Sequence, residues 1–283
     1  MTKTYLLSNI EDAVAIATTL TGSWFRGHSR VIGALTPRIY RPTIRDEIVD
    51  KFRPALEVEI IEQFKRDAPT LAEGSVPGED DHLDWLYLMQ HYKTPTRLLD
   101  WSENALIALY FAVAEDRNDD GELWCMFPFP LNSASHVGWG TPIIGRNPVL
   151  RYLTEEPYWA GKPEDLAESL GMTVVPNRPI ALDPRRNFRR MVAQASVFTI
   201  HPRPEDGHTI PEVLGDEQAL VRYVVPATAK QRLRGDLDTL GIGDLSLFPD
   251  LEGLSRQVVF DNRVIAYGPP NPPQCSGEWQ AGS

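Results

Sequence analysis

The stretch from Gln90 to Ala112 restricts the fold of this chain more than any other. Gln90-His91-Tyr92-Lys93-Thr94-Pro95-Thr96-Arg97-Leu98-Leu99-Asp100-Trp101-Ser102 leads directly into Glu103-Asn104-Ala105-Leu106-Ile107-Ala108-Leu109-Tyr110-Phe111-Ala112. Pro95 forbids continuation of the helix upstream, which the pattern places over Asp80 to Tyr92 with Leu83, Leu86 and Tyr87 inward. Leu106, Leu109, Tyr110 and Val113 recur at helical spacing and predict a second helix. The apolar run from Ala105 to Ala114 falls short of the ~20 residues that span a bilayer, so it reads as a buried helix. Between the two helices a predicted turn, Thr96–Ser102, concentrates polar side chains that a plain core segment would not need.

The remaining chain alternates helical and strand patterns. Glu11–Leu20 predicts an amphipathic helix, Ser23–Gly27 a strand, and Leu56, Ile60, Ile61 and Phe64 one face of a helix starting near Pro54. Asp119-Asp120-Gly121 signals a turn before a buried strand, Leu123–Phe127. Residues 128–190 read as an irregular insertion with short helices near Pro148–Leu153 and Pro163–Leu170. Strand character returns at Val192–His201 and Ala219–Val225, and closing helices follow over Pro226–Leu240 and Leu247–Val259. Gly241-Ile242-Gly243 opens no strand–helix unit, and no G-x-G-x-x-G follows a strand. The expected architecture is α+β, with a small mixed or antiparallel sheet core flanked by helices. It forms a single domain over residues 1–267, followed by a Pro-, Gly- and Ser-rich tail, 268–283, expected to be mobile.

The net charge of −11 argues against a surface broadly adhesive to nucleic acid or anionic membranes, and no membrane association is expected. Arg185-Arg186-Asn187-Phe188-Arg189-Arg190 is a local exception, either a solvated charge run or a contact to DNA or RNA. The N-terminus lacks signal-peptide organisation, and the two cysteines, Cys125 and Cys275, lie far apart, so a cytoplasmic setting is expected. No ligand spacing predicts a metal: Glu79-Asp80-Asp81-His82 reads as first-turn acids, and His201 and His208 have no third partner. A G-x-S-x-G elbow is absent, and neither cysteine has a plausible histidine nearby.

Five ordered blocks resemble the FRG domain family: Phe25-Arg26-Gly27, Leu35 to Arg41, Gln90 to Ala112, Gln194 to Thr199, and Leu240-Gly241-Ile242 with Leu247 to Leu251. A second resemblance is to arginine-type ADP-ribosyltransferases. These carry an Arg in an apolar-Arg-Gly strand, a Ser or Thr strand leading into Ala-x-x-Phe-Ala, and a later strand with a catalytic Glu. Phe25-Arg26-Gly27 is similar to the first element, and Leu99 to Ser102 with Ala108 to Ala112 to the second. Gln194-Ala195-Ser196-Val197-Phe198 falls where the third would be, with Ser196 in place of the glutamate.

This resemblance implies an ADP-ribosyltransferase-like fold. It also implies NAD as substrate, no metal, and transfer to a nucleic-acid base or protein side chain in a toxin or phage-defence setting. Cleavage of the nicotinamide–ribose bond passes through an oxocarbenium-like state, so the site must clamp a pyrophosphate and stabilise charge on the sugar. The implied clamp is Arg26, assisted by Arg38 or Arg97, since a guanidinium grips phosphate bidentately. Tyr92 and Trp101 offer stacking faces. Ser102 would bind the ribose or orient the Arg26 strand, and Asp100 would bind a ribose hydroxyl or position the acceptor. Gln194 would hold a hydroxyl, and His91 titrates near neutrality.

Each residue also has a structural reading. Arg26 and Asp100 would form a buried ion pair, Ser102 would cap the helix through the Ala105 NH, and His91-Tyr92 would end a helix. Gln194 would be a buried strand amide, and Arg38 and Arg41 surface partners for acids. The alternative functions are an NAD hydrolase with a damaged acceptor site and a non-catalytic module that binds a nucleotide, a nucleic acid or a protein partner.

Overall fold

The computed structural model describes residues 2–264 apart from 42–52, 73, 116–117, 139, 142–146, 160, 206 and 216–218. The predicted 268–283 tail lies outside the described residues. Seven strands form one sheet: β1 (Lys3–Leu6), β2 (Trp24–His28), β3 (Leu98–Ser102), β4 (Gly121–Met126), β5 (Ile180–Leu182), β6 (Ser196–Ile200) and β7 (Leu220–Val225). Their order is β1-β7-β4-β2-β3-β6-β5, and β1 with β7 is the parallel pair in a sheet whose other pairs are antiparallel. The mixed sheet flanked by helices agrees with the expected class. It is larger than expected because β1 and β5 extend its edges.

Leu98–Ser102 is a strand and not the expected turn. Period-two alternation explains it: Leu99 and Trp101 join Trp24, Trp124 and Met126 in a core on one face. Leu98, Asp100 and Ser102 fall on the other face, where the helices pack. A strand covered on both faces loses the clean polar alternation that marks a half-exposed one.

The helix-bearing face has two cores. Over β2, β4 and β7 lie α1 (Ile10–Thr19), α4 (Ala105–Val113) and α10 (Ala227–Thr239), packed on Phe25, Leu123, Cys125 and Val225. Over β3, β5 and β6 lie α2 (Arg53–Leu71), α3 (His82–His91), α6 (Pro148–Glu155) and α7 (Pro163–Ser169), packed on Leu98, Leu182 and Phe198. Short helices α5 (Pro128–Ala134) and α9 (Ile210–Leu214) serve the opposite face through Leu131, Ile210 and Leu214. The chain also forms α8 (Arg189–Ala193), α11 (Asp244–Leu247) and α12 (Leu251–Val264). Within 128–190 the two expected helices appear as α6 and α7, while α5 escaped the reading because its prolines obscure a helical spacing, and β5 because three residues show little alternation.

One glycine fixes how α4 seats on the sheet. A Cβ at Gly27 would lie 1.9 Å from the Ala108 carbonyl oxygen and 2.8 Å from the Ala112 nitrogen, both backbone atoms of α4. Gly27→Ala is therefore expected to lower stability by about 3 kcal/mol or more, at the upper end of overpacking costs, in urea unfolding. Gly235→Ala in α10, where a Cβ meets nothing within 4 Å, is expected to raise stability by about 0.5–1 kcal/mol. If both variants unfold like wild type, the close approach of β2 to α4 is wrong.

Candidate functional site

The two half-sheets meet at a single rung. β2 and β3 pair only at Phe25–Ser102, whereas β2 pairs with β4 at five positions and β3 with β6 at five. The next pairs in that register, Arg26 with Trp101 and Gly27 with Asp100, are not made. In their place Arg26 reaches across, its Nη1 donating to the Asp100 carbonyl oxygen at 2.6 Å. A cavity of about 330 Å³ sits at this junction, between the two helix layers.

Arg26, Arg38, Asp100, Ser102, Gln194 and His91 all line that cavity. Residues separated by more than 160 positions are thus brought together. Arg26 is held on two sides: beside the Asp100 carbonyl bond, its Nε donates to His28 Nε2 at 2.9 Å. Its Nη1 lies 3.6 Å from Asp100 Oδ2, and the Arg26 side chain is 13% exposed against 51% for Asp100. The pair is open at the carboxylate and is not sealed in the core. Burial lowers the Arg26 pKa to about 10, so it remains cationic at neutral pH.

Behind Arg26 runs a chain that the sequence reading missed. His28 Nε2 accepts from Arg26, so its proton sits on Nδ1, which donates to Glu122 Oε1 at 2.8 Å. Glu122, fully buried, also accepts from the Ile32 and Gly33 backbone NH groups. Burial works to raise its pKa, yet hydrogen bonds from His28 and the Ile32 NH hold it below the ordinary value. Two signals were available. His28 shares the period-two face of Arg26, and Glu122 is an acid in a strand buried at every position, Gly-Glu-Leu-Trp-Cys-Met. Gln90 was missed too: its Nε2 donates to Asp100 Oδ2 at 2.8 Å, while its Oε1 accepts from Thr96.

Burial, then the charge of Arg26, depresses His28 to about 4. Burial does the same to His201, to about 3. The unfolded chain takes up these protons near pH 6.5, whereas the folded chain resists until pH is much lower. Their contribution is therefore complete above about pH 6.5 and is lost as pH falls toward 4. The urea midpoint is expected to drop between about pH 7 and 4.5, with His28 alone contributing on the order of 2–3 kcal/mol. A flatter profile in His28→Gln is the expected check, and an unchanged slope would contradict the neutral, buried imidazole.

Arg97 and Tyr92 lie outside the lining, and Trp101 borders the cavity without turning its indole into it. Arg97 is fully buried away from the cavity, bonded through Nε and Nη2 to Glu57 and through Nη1 to the Leu153 carbonyl. Glu156 lies 3.2 Å away. It ties β3 to α2 and α6 and cannot clamp a ligand. Trp101 points into the opposite core, where its indole NH donates to Thr199, so it presents no stacking face. Tyr92 is 60% exposed, beside the His91 ring and outside the lining.

Ser102 does not cap α4. Asn104 does, its Oδ1 accepting from the Leu106 and Ile107 NH groups. Ser102 donates instead to the Gln194 carbonyl at 2.8 Å and accepts from the Asn104 NH, pinning the turn before β6. Gln194 Nε2 bonds the Leu247 carbonyl. His91 stacks on Phe188, with ring centroids 4.7 Å apart, and burial lowers its pKa. The basic run separates in space: Arg185 pairs with Asp84 and Arg186 with Glu103, while Arg190 turns into the cavity.

The lining is cationic. Arg26, Arg38, Arg41, Lys93 and Arg190 surround it against one carboxylate, Asp100. Among the described residues Arg38, Arg41, Lys93 and Arg190 have no carboxylate within ion-pair distance. In a chain of net charge −11 this concentrates positive potential at one mouth. The described residues hold no group of three His, Cys, Asp or Glu side chains placed to bind a metal, and no helix among them is long and apolar enough to cross a membrane.

Residues 21–121 match the model of the FRG domain. This segment is an FRG domain. It supplies β2, β3, α4 and the Arg26–His28 arm of the site, while Arg190, Gln194 and β6 come from outside the matched residues. No curated protein and no solved structure matches the chain significantly. The FRG domain therefore builds the clamp side of the cleft, and the C-terminal half closes it.

Proposed function

We propose that the cleft binds NAD and cleaves its nicotinamide–ribose bond, delivering ADP-ribose to an acceptor. The observation that carries this reading is the set of guanidiniums around one opening, with Arg26 locked from behind by His28 and Glu122. Two of the five Arg26 N–H bonds are satisfied by protein, and Nη2 has no partner among the described residues. A pyrophosphate offers oxygens to Nη2 and to the N–H groups of Arg38 and Arg41 that remain beyond their bonds to the Lys93 and Thr36 carbonyls. Asp100, the one carboxylate in the lining and held by Gln90, would interact with a ribose hydroxyl or with positive charge growing at the sugar carbon. The fold would then be ADP-ribosyltransferase-like, with the cleft at the split between β2 and β3.

The test is release of free nicotinamide from NAD by the purified chain, compared with Asp100→Asn. Turnover in wild type with loss in the variant supports the reading. NAD binding in a calorimeter with no nicotinamide released over hours would instead favour a non-catalytic nucleotide-binding module. That second reading is favoured by one observation: Ser196, paired with Ser102 across β3 and β6, stands where the resemblance would put a glutamate. Nucleotide that neither binds nor reacts would overturn both.

A further inference from the structure

A second, larger hollow of about 1320 Å³ shares Gly27, Arg41, Lys93, Phe111 and Arg190 with the cleft, so the two run into one another. It continues over α4, α10 and α12. From this we infer that the hollow is the seat of a single-stranded nucleic acid, the acceptor whose reactive atom reaches the cleft through the shared wall. As an acceptor site it rests on the NAD reading above; as a nucleic-acid site it stands on its own geometry.

The lining has the composition a sugar–phosphate backbone needs. Arg30, Arg232, Arg234 and Arg256 add to the three shared cations, against Glu115 and Asp244. Asp244 is already engaged, accepting from Tyr110 OH at 2.7 Å and Arg234 Nη2 at 2.6 Å. Arg234 is 6% exposed, and its Nη1 has no hydrogen-bond acceptor, with an Asp238 oxygen 3.8 Å away. Arg256 Nη2 is likewise buried without an acceptor. Phosphate oxygens would satisfy both. Rings brace the cations: Arg190 and Arg256 each lie 4.2 Å from the centroid of Phe248, a core ring, and Arg234 lies 4.2 Å from that of Phe260. Guanidinium planes held in place by these rings, with Phe111 and Phe260 partly exposed beside them, suit a flexible strand whose bases stack and whose phosphates are gripped. An acidic peptide would meet the charge but leave the flat surfaces unused.

The transfer balances without a further reagent. The bond from the ribose C1′ to the nicotinamide nitrogen breaks, and nicotinamide leaves neutral with the bonding electron pair. A nitrogen or hydroxyl oxygen of the strand bonds to C1′ and releases its proton to solvent.

The experiment uses a dye-labelled strand of about 12 nucleotides, as DNA and as RNA, in anisotropy titrations at about 50–200 mM salt. The variant is Gln231→Glu with Arg232→Glu, two exposed α10 positions that line the second hollow alone. Wild type is expected to bind with a falling log–log salt dependence. The variant should bind about tenfold or more weakly, with a shallower slope. Its nicotinamide release without a strand should stay unchanged. Failure of wild type to bind either strand, equal binding by the variant, or tighter binding of a poly-glutamate peptide each overturns the inference. Strand binding without nicotinamide release sinks the NAD reading alone. Release without strand binding sinks the groove alone.

Discussion

Arg26→Ala is expected to lower nicotinamide release by on the order of 10²–10³-fold, the range for losing one preorganised donor, while thermal unfolding shifts by only a few degrees. The side chain bridges an opening where no strand ladder exists, so its removal deletes two hydrogen bonds and leaves the Phe25–Ser102 rung intact. His28 keeps its bond to Glu122, so no buried charge is orphaned. Arg26→Lys should restore little: a lysine keeps the charge but cannot donate at once to His28, to the Asp100 carbonyl and to a phosphate. Steady-state release assays and calorimetric melting of the same preparations check this. A variant that melts far below wild type, in a chain that never turned NAD over, would make Arg26 a structural brace.

Arg97→Ala should have the opposite signature, a loss of about 3–5 kcal/mol of stability with NAD affinity per folded molecule unchanged. Arg97 is fully buried, and its partners Glu57 and Glu156 are 2% and 7% exposed. Burial opposes its charge, but the two carboxylates outweigh that and hold it firmly protonated. Deleting the guanidinium strands both acids and the Leu153 carbonyl that Nη1 serves. Arg203, 2.6 Å from Glu156, compensates only the outer one. Urea midpoints of Arg97→Ala and Arg97→Ala/Glu57→Gln check the mechanism. The double variant should recover part of the loss, because it removes one orphaned charge. If the single variant is as stable as wild type, the cluster contributes no net stability.

Arg26 and Arg97 show what was legible in the sequence and what was not. Both are arginines inside family-like blocks, and linear context does not separate them. The difference lies in Glu57, 40 positions upstream, which comes through α2 to meet Arg97 and has no counterpart at Arg26. Arg26, Arg38, Asp100, Ser102, Gln194 and His91 could be grouped because their motifs were readable, yet Trp101 could not be oriented until Leu98–Ser102 was known to be a strand. Alternation then sends Asp100 and Trp101 to opposite faces. Helices α3, α4, α6, α7 and α10 were legible from spacing and from prolines near their starts or ends, but the cap of α4 was not, since Asn104 fills it in place of Ser102. Strands β1 and β5 were not, because edge position and short length leave little periodicity. Glu122 and His28 were missed for a different reason: their role is a pairing across β2 and β4, and a single sequence does not state which strands are neighbours.

The lone rung between β2 and β3 gives the domain an unusual mechanical character. On the helix-bearing face each half-sheet carries its own apolar core and its own helices, while on the opposite face Trp24, Trp124 and Met126 of one half pack with Leu99, Trp101 and Val197 of the other. Separating the halves at that seam opposes one strand pairing, the Arg26 bridge, the lean of α4 and this shared core, whereas prising apart β2 and β4 would break a five-position ladder as well. A guest at the mouth therefore meets halves anchored to one another from beneath, with Arg26 as the tie across the opening.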